Sequence, residues 1–332
     1  MNPDVGVAEI SRSYSNQARE PGRPSRWTVL LAVAAGALAG FVAANLLRRP
    51  AAALASPGAS APHTATAWMS MARRLSEPGS DRALQGALAQ ALASDTTLFT
   101  AIVNEYGRAE DRPFRATLRE LIVASARPDV LGAGTELTHE ARGLQRGAGF
   151  ELLARLRPTP ERYAMATRAV VEEADPTALA GALMALRSPG LPSNADARQL
   201  LPRFLVLAHH PDALVRGHAI QQLSDWDKAG EQATPIVLDA LSDPDRVVRE
   251  AAVGAVMIGG LRSEGLKGAL LHTAGNPGED PTIRGSALLA LERFALTDAE
   301  QARYRAGQDE LERFAMAHRE ENHTQERVGD HE

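Results

Sequence analysis

Cysteine is absent from this 332-residue chain, and aromatic residues make up only 4% of it. Without cysteine the chain has no disulfide framework, no thiolate metal site and no cysteine nucleophile. Because aromatic residues are few in a chain that is 44% hydrophobic, Ala and Leu must supply the core, and these residues favour helices over sheets. The composition predicts an all-α protein.

Lysine is almost absent too: only Lys228 and Lys267 occur among the 36 basic residues. This arginine bias, with abundant Ala, Gly and Pro, is typical of GC-rich bacterial genomes. Beyond residue 50 the chain has 30 basic and 38 acidic residues, a net charge of about −8. Such a charge repels phosphate on average, so we expect no nucleic-acid partner.

One long apolar run, WTVLLAVAAGALAGFVAANLL, occupies residues 27–47. Its 21 residues can cross a hydrocarbon core of about 30 Å at about 1.5 Å per residue, which predicts one transmembrane helix. A cleaved signal peptide is the alternative, because ALA at 53–55 resembles a cleavage site, although the run is longer than the usual core of a signal peptide. We favour an uncleaved, single-pass anchor in a bacterial inner membrane.

The flanks of this run predict its orientation. Four arginines precede it and two follow it closely, so the positive-inside rule favours a cytoplasmic tail at 1–26 and a periplasmic C-terminal part. A linker rich in Pro, Ala and Ser follows at 48–66. Small residues recur every four positions in the run: Ala32, Gly36, Gly40 and Ala44. Such a face allows a second copy of the helix to approach closely, which is the pattern of a homodimer formed through the membrane helix.

A short pattern recurs in the second half of the chain. DPDRVVREAAVGAV at 243–256 returns as HPDALVRGHAIQQL at 210–223 and as DPTIRGSALLAL at 280–291, with weaker copies from Gln145 and Asp175. Aligned on a central small residue, the copies are spaced 33, 37, 33 and 35 residues apart: Gly149, Ala182, Ala219, Ala252 and Ala287. This period indicates stacked helical hairpins, because one hairpin cannot bury its apolar face alone.

Each plain copy has a proline near its start and an arginine at one fixed position. We expect the proline in the first helical turn, where its missing N–H costs nothing, with the residue before it capping the helix; these prolines are Pro211, Pro244 and Pro281. The recurring arginines are Arg216, Arg249 and Arg284. Their recurrence favours a structural role in stacking over a row of cations that binds an acidic partner.

This spacing of Asp-Pro, Val-Arg and Ala resembles HEAT repeats, and more narrowly the short bacterial HEAT-like units related to the phycobilisome-lyase type. The resemblance is carried by Asp243, Pro244, Val248, Arg249 and Ala252 and by the matching residues of the other copies. It covers about 175–295, and the copy at Ala182 lacks the arginine. The resemblance implies an α-solenoid, an arginine paired with an acidic residue of a neighbouring turn, and a concave face lined by the second helix of each hairpin.

The sequence thus predicts a solenoid of HEAT-like helical hairpins preceded by one transmembrane helix. After the linker, the predicted segments are a helical N-terminal part at 67–140, read as degenerate repeats or a bundle, the repeats at 141–296, a capping helix at 297–320 and a disordered tail at 321–332. Thr297 and Glu300 form the capping-box pattern that opens the capping helix.

Motifs that carry catalysis are sparse. His209, His210 and His218 cluster near one helix start, but no carboxylate stands at a tight metal-ligand spacing, so we expect no metal. No phosphate loop, dinucleotide fingerprint or nucleophile elbow occurs in the required context, and no catalytic triad is evident. We therefore expect no cofactor, and the chain need not be an enzyme.

The most direct interpretation is a membrane-anchored scaffold that binds a protein partner through successive repeats. The predicted location favours a membrane or periplasmic protein as that partner. The candidate binding residues, expected to be exposed on second helices, are Gln221, Gln222, Trp226, Glu250 and Arg293. Trp226 either anchors an interface or packs between two repeats. Two alternatives stay open: a lyase-type or small-molecule-binding HEAT-like protein, implied by the resemblance alone, and a spacer that dimerises through its membrane helix.

Overall fold

The computed structural model describes residues 65–77, 82–186, 194–227 and 229–329. The predicted cytoplasmic tail, the predicted transmembrane helix with its four small packing residues, and most of the predicted linker lie outside these ranges. Every regular element within the ranges is an α-helix, which confirms the predicted fold class for this part of the chain.

The described part of the chain forms fifteen helices. They are α1 (Ala65–Leu75), α2 (Arg82–Ser94), α3 (Thr96–Arg108), α4 (Arg112–Ala124), α5 (Val130–Thr138), α6 (Gly143–Ala154), α7 (Pro160–Glu172), α8 (Pro176–Ala185), α9 (Asn194–Leu207), α10 (Ala213–Trp226), α11 (Ala233–Ala240), α12 (Arg246–Gly259), α13 (Glu264–Gly275), α14 (Pro281–Leu291) and α15 (Asp298–Gly329).

From α5 to α14 the helices form consecutive hairpins. Each odd-numbered helix, here called a first helix, packs on the even-numbered helix that follows it, the second helix. The second helices from α6 to α14 also pack on one another in sequence. This arrangement is the predicted solenoid, in which each hairpin completes its core against the next.

Small residues at the centre of each second helix allow this close stacking. The aligned alanines are fully buried: Ala182, Ala219, Ala252 and Ala287. In α6 the aligned residue is Gly149, where an added Cβ would lie 2.6 Å from the backbone nitrogen of Thr138. Helix α6 therefore lies directly against the end of α5, at a distance that only glycine permits.

Two hydrophobic clusters meet at α6. The N-terminal cluster extends from α1 to α6 and includes Ala148 and Leu152, whereas the C-terminal cluster begins with Phe150 and extends to α15. The hydroxyl of Tyr106, on α3, donates a hydrogen bond of 2.7 Å to the carbonyl of Ala148. Helix α6 thus belongs to both parts and joins the N-terminal helices to the repeats.

The predicted helix start is correct for one of the three plain copies. Asp280 caps α14 by accepting a 2.8 Å hydrogen bond from the backbone N–H of Thr282, and Pro281 is the first helical residue. The weaker copy at Asp175 starts α8 in the same way. In both helices the proline fills a position whose N–H has no partner in the helix.

For Pro211 and Pro244 the predicted position is wrong. Helices α10 and α12 begin two residues after these prolines, and the aspartates in between, Asp212 and Asp245, are the capping residues. In these copies an aspartate also follows the proline, and its extended backbone directs the carboxylate to the free N–H groups of the first turn. The two prolines therefore lie in the turns that precede the helices.

The last helix, α15, packs on α13 and α14 and covers the final repeat. The capping box is present: Glu300 accepts a 2.8 Å hydrogen bond from the N–H of Thr297, and the Thr297 hydroxyl accepts one of 3.4 Å in return. Helix α15 continues to Gly329, past the predicted end at 320 and into the segment predicted to be disordered.

Among the described residues, no single helix has both the length and the apolar character that crossing a bilayer requires. Within the described ranges, α2 and α3 are the one pair that meets these criteria when taken together, and the two helices are bent by 114° at their junction.

Candidate partner-binding surface

Arg249 on α12 makes two sets of hydrogen bonds that join consecutive hairpins. Its Nη1 atom donates to the carbonyls of Asp243 and Pro244, at 2.8 and 3.0 Å, in the turn before its own helix. Its Nε and Nη2 atoms donate to the carboxylate of Glu279, in the turn before α14, at 2.7 and 3.0 Å. The paired Nε and Nη2 donors, here called the fork, match the two oxygens of a carboxylate.

Two other second helices repeat this geometry. On α10, the Nη1 of Arg216 donates to two carbonyls and its fork binds Asp243 at 3.1 and 3.0 Å. On α6, the fork of Arg146 binds Glu173 at 2.8 and 3.0 Å. We call these three arginines and their acids, the pairs Arg146 with Glu173, Arg216 with Asp243 and Arg249 with Glu279, the arginine ladder.

Arg146 was missed as a ladder residue in the sequence, although a signal for it exists. It precedes Gly149 by the same three positions that separate Arg249 from Ala252. Arg284 makes a variant of the contact: its Nε donates to the carbonyl of Ala274, and its Nη2 lies 3.0 Å from a carboxylate oxygen of Glu310 on α15.

The ladder is interrupted between α8 and α10. The ladder position of α8 holds Leu179, which is 2% exposed. The position that holds Asp243 in the next repeat holds His210, whose Nδ1 accepts a 3.1 Å hydrogen bond from the N–H of Asp212. The ladder arginine and its acid are thus both replaced at this step. The hydrogen bond that His210 accepts from Asp212 corresponds to the 2.8 Å bond that the Asp243 carboxylate accepts from the N–H of Asp245 in the next repeat.

The ladder arginines also shift the titration of their partners. The hydrogen bond from Arg146 lowers the pKa of Glu173 below its ordinary value. Burial raises the pKa of Asp243 and of Glu279, but the hydrogen bonds from Arg216 and Arg249, the backbone N–H bonds of Asp245 and Asp280 and the positive charges of the two arginines together outweigh burial, so both pKa values lie below the ordinary range. The arginines and carboxylates of the ladder therefore neutralise each other within the chain.

Three of the candidate binding residues reach the surface, two of them on successive second helices and the third just after the next one. Gln221 is exposed on α10, and the side chain of Glu250 on α12 is 38% exposed and lies 3.8 Å from Arg246. Arg293, just after α14, is exposed and donates through Nη1 to the carbonyl of Met257.

The prediction that Gln222 and Trp226 are exposed is wrong, because these residues are only 8% and 7% exposed. Gln222 donates a 2.9 Å hydrogen bond to the carbonyl of Leu183 on α8 and accepts one of 3.1 Å from the indole N–H of Trp226. The indole stacks on Tyr163 of α7 and meets Phe204 of α9 edge-on, with ring centroids 6.4 and 5.8 Å away. Of the two roles considered for Trp226, the structure supports packing between repeats.

Two open clefts are found in the described part of the chain. One, of about 450 Å³, lies where the end of α5 meets α6 and α7 and is lined by Phe150 and Met165 together with His139, Arg168 and Glu172. The other, of about 550 Å³, lies between α13 and α15. The first cleft has the size of a small-molecule site, which is typically about 300–1,000 Å³.

The clustered histidines lie near the start of α10. Within the described ranges, no group of three or more His, Asp or Glu residues is arranged to hold a metal ion. His210 forms the turn bond described above, and His218 lies 3.4 Å from the amide oxygen of Gln221.

Residues 163–257 match the family described as HEAT repeats, so the chain contains HEAT-like repeats from α7 to α12. The X-ray structure of YibA from Escherichia coli is similar, with 12% identity, 65% of this chain and 76% of that chain covered, and a TM-score of 0.44. The complex of CpcE and CpcF of phycocyanin lyase from Nostoc sp. PCC7120 is also similar, with 16% identity, 79% and 100% covered, and a TM-score of 0.41. No curated protein sequence matches the chain.

Proposed function

We propose that the chain is a HEAT-like scaffold that binds a protein partner through its second helices, at a surface that includes Gln221, Glu250 and Arg293. One observation carries the proposal: these side chains reach solvent on two successive second helices and just after the end of the third, whereas the ladder arginines of the same stack are neutralised within the chain. A row of exposed side chains on stacked repeats gives an extended surface that suits a protein better than a small molecule.

The proposal includes anchoring by residues 27–47 in a bacterial inner membrane, with the repeats in the periplasm. Confinement to a membrane raises the effective concentration of the scaffold for other membrane proteins. The topology is tested with two fusions after residue 332, one to a reporter that is active only in the periplasm and one to a reporter that is active only in the cytoplasm. Activity of the cytoplasmic reporter alone would contradict the proposed topology. Association through the anchor is tested with Gly36→Leu and Gly40→Leu, which should abolish it.

Partner binding is tested by photo-crosslinking in cells from Gln221 and from Glu250, followed by mass spectrometry. Val206 on α9 is the control, since this side chain is 64% exposed but belongs to a first helix. We expect one protein to be captured from the second-helix positions and not from Val206. Capture from Val206 alone would place the binding surface on the first helices and contradict the proposal.

A small-molecule-binding protein is the second candidate, and the cleft at the end of α5 favours it. The cleft combines apolar Phe150 and Met165 with polar His139, Arg168 and Glu172, the mixture that ligand sites use. Native mass spectrometry of the freshly purified chain tests this candidate. A co-purifying molecule that Met165→Trp displaces would support it, and a ligand-free chain would count against it.

A further inference from the structure

Arg262 and Arg293 lie close together at the C-terminal end of α12. The Nη1 of Arg262 donates to the carbonyls of Val256, at 3.3 Å, and of Leu261, while the Nη1 of Arg293 donates to the carbonyl of Met257. The carbonyls at the end of a helix carry partial negative charge and attract cations. The last turn of α12 therefore holds two guanidinium groups side by side.

Each of these arginines makes only half of the ladder contact. In the ladder, Nη1 binds carbonyls and the fork binds a carboxylate, as for Arg249 with Glu279. Among the described residues, no carboxylate lies within ion-pair distance of Arg262 or Arg293. Both residues are exposed, and neither fork is paired with an acid from the described part of the chain.

The electrostatics of Arg262 agree with this geometry. Partial burial of its guanidinium, and then the charge of Arg293, lower its pKa, and no carboxylate acts in the opposite direction. A guanidinium remains protonated at physiological pH despite such a shift. The two positive charges therefore repel each other with no anion of the described chain between them.

Apolar side chains adjoin the two forks. The Arg262 guanidinium lies 5.0 Å from the centroid of the Phe294 ring, which is half-buried. Ile258, in the last turn of α12, is 66% exposed, more than any other large apolar side chain in the described ranges. We call Met257, Ile258, Arg262, Arg293 and Phe294 the arginine-pair patch.

We propose that the arginine-pair patch binds an acidic segment of a protein partner, in which carboxylate side chains stand beside a large apolar residue. The inference rests on the proposed function and identifies the partner's chemistry. The carboxylates occupy the forks of Arg262 and Arg293 as Glu279 occupies that of Arg249, and the apolar residue packs on Ile258 and Phe294. Because the chain has a net charge of −5, an acidic segment is repelled by most of the surface and directed to this patch.

The test uses the full chain in its own cells, with a photo-crosslinking residue in place of Ile258. Wild type is compared with Arg262→Gln/Arg293→Gln, and with Arg303→Gln/Arg305→Gln as a control of equal charge change on exposed residues of α15. We expect one captured protein, a crosslinked peptide that contains Asp or Glu, and a loss of capture of about tenfold or more only in the first variant, since each fork makes a charge-assisted bidentate contact. Equal thermal melting of the variants checks that folding is unchanged.

Charge exchange provides the second readout. Arg262→Glu/Arg293→Glu should abolish capture, and replacing the acids of the captured segment with arginine should restore it. Undiminished capture by the glutamine variant, a captured segment without acids, or capture of a lipid in place of a protein would overturn the inference. If Ile258 captures nothing while Gln221 still captures a protein, the inference fails and the proposed function stands; if no second-helix position captures a protein, both fail.

Discussion

Replacing Arg249 with methionine tests whether the arginine ladder holds the hairpins together. The change keeps much of the side-chain volume but removes the charge, the two bonds to the Glu279 carboxylate and the two bonds to the turn before α12. The Glu279 side chain is 7% exposed, so its carboxylate would be left buried without a countercharge, keeping the 2.8 Å hydrogen bond from the N–H of Asp280. Breaking a buried pair on one side costs about 3–5 kcal/mol; because the Arg249 side chain is 22% exposed, we expect about 3 kcal/mol.

Arg246→Gln is the matched control on the same helix. Arg246 lies 2.8 Å from Asp280, but its side chain is 51% exposed, and exposed ion pairs contribute about 0–1 kcal/mol. The double variant Arg249→Met/Glu279→Gln should recover part of the loss, because a neutral amide is buried at a lower cost than a carboxylate.

The assay is urea unfolding of the full chain followed by circular dichroism, with amide hydrogen exchange to locate the loss. We expect a lower unfolding midpoint for Arg249→Met and faster exchange in α12 and α14. If Arg249→Met costs no more than Arg246→Gln, or if the double variant is no more stable than Arg249→Met alone, the ladder does not contribute to stacking as argued.

Three further predictions concern packing and pH. Gly149→Ala should destabilise the chain by about 2 kcal/mol or more, because its Cβ would meet backbone atoms of α5. The control Gly268→Ala has open space around it and should stabilise α13 by about 0.5–1 kcal/mol. Thermal melting of the two variants measures the difference, and equal effects would contradict the close packing of α6 on α5. Gln222→Leu should cost about 1–3 kcal/mol, since it removes one hydrogen bond from the Leu183 carbonyl and leaves the buried indole N–H of Trp226 without its acceptor. The neighbouring exposed Gln221→Leu should cost about 0.5 kcal/mol or less in the same urea titration. The ladder carboxylates have folded-state pKa values below their ordinary ones, so their stabilisation is fully present above about pH 5 and is lost as the pH falls through about 4 and below; a melting temperature that rises on acidification across this range would refute that assignment.

The sequence alone determined the helical class, the repeat period and the residues at the centre of each second helix. These features depend on local signals: alanine and leucine favour helices, and a recurring small residue marks the position where two helix backbones approach. The recurring arginine was readable because it returns at one position of each plain copy, and the capping box because Thr297 and Glu300 stand at the spacing that this cap requires.

Only the tertiary structure decided what each side chain faces. Gln221 and Gln222 are neighbours, but about 100° of helical rotation separates them, so one is exposed while the other binds the carbonyl of Leu183. Likewise, Arg262 and Arg293 belong to different repeats, and no spacing in the sequence relates them. They meet because α14 stacks on α12 and brings both to the same helix end, a consequence of packing that no local pattern encodes.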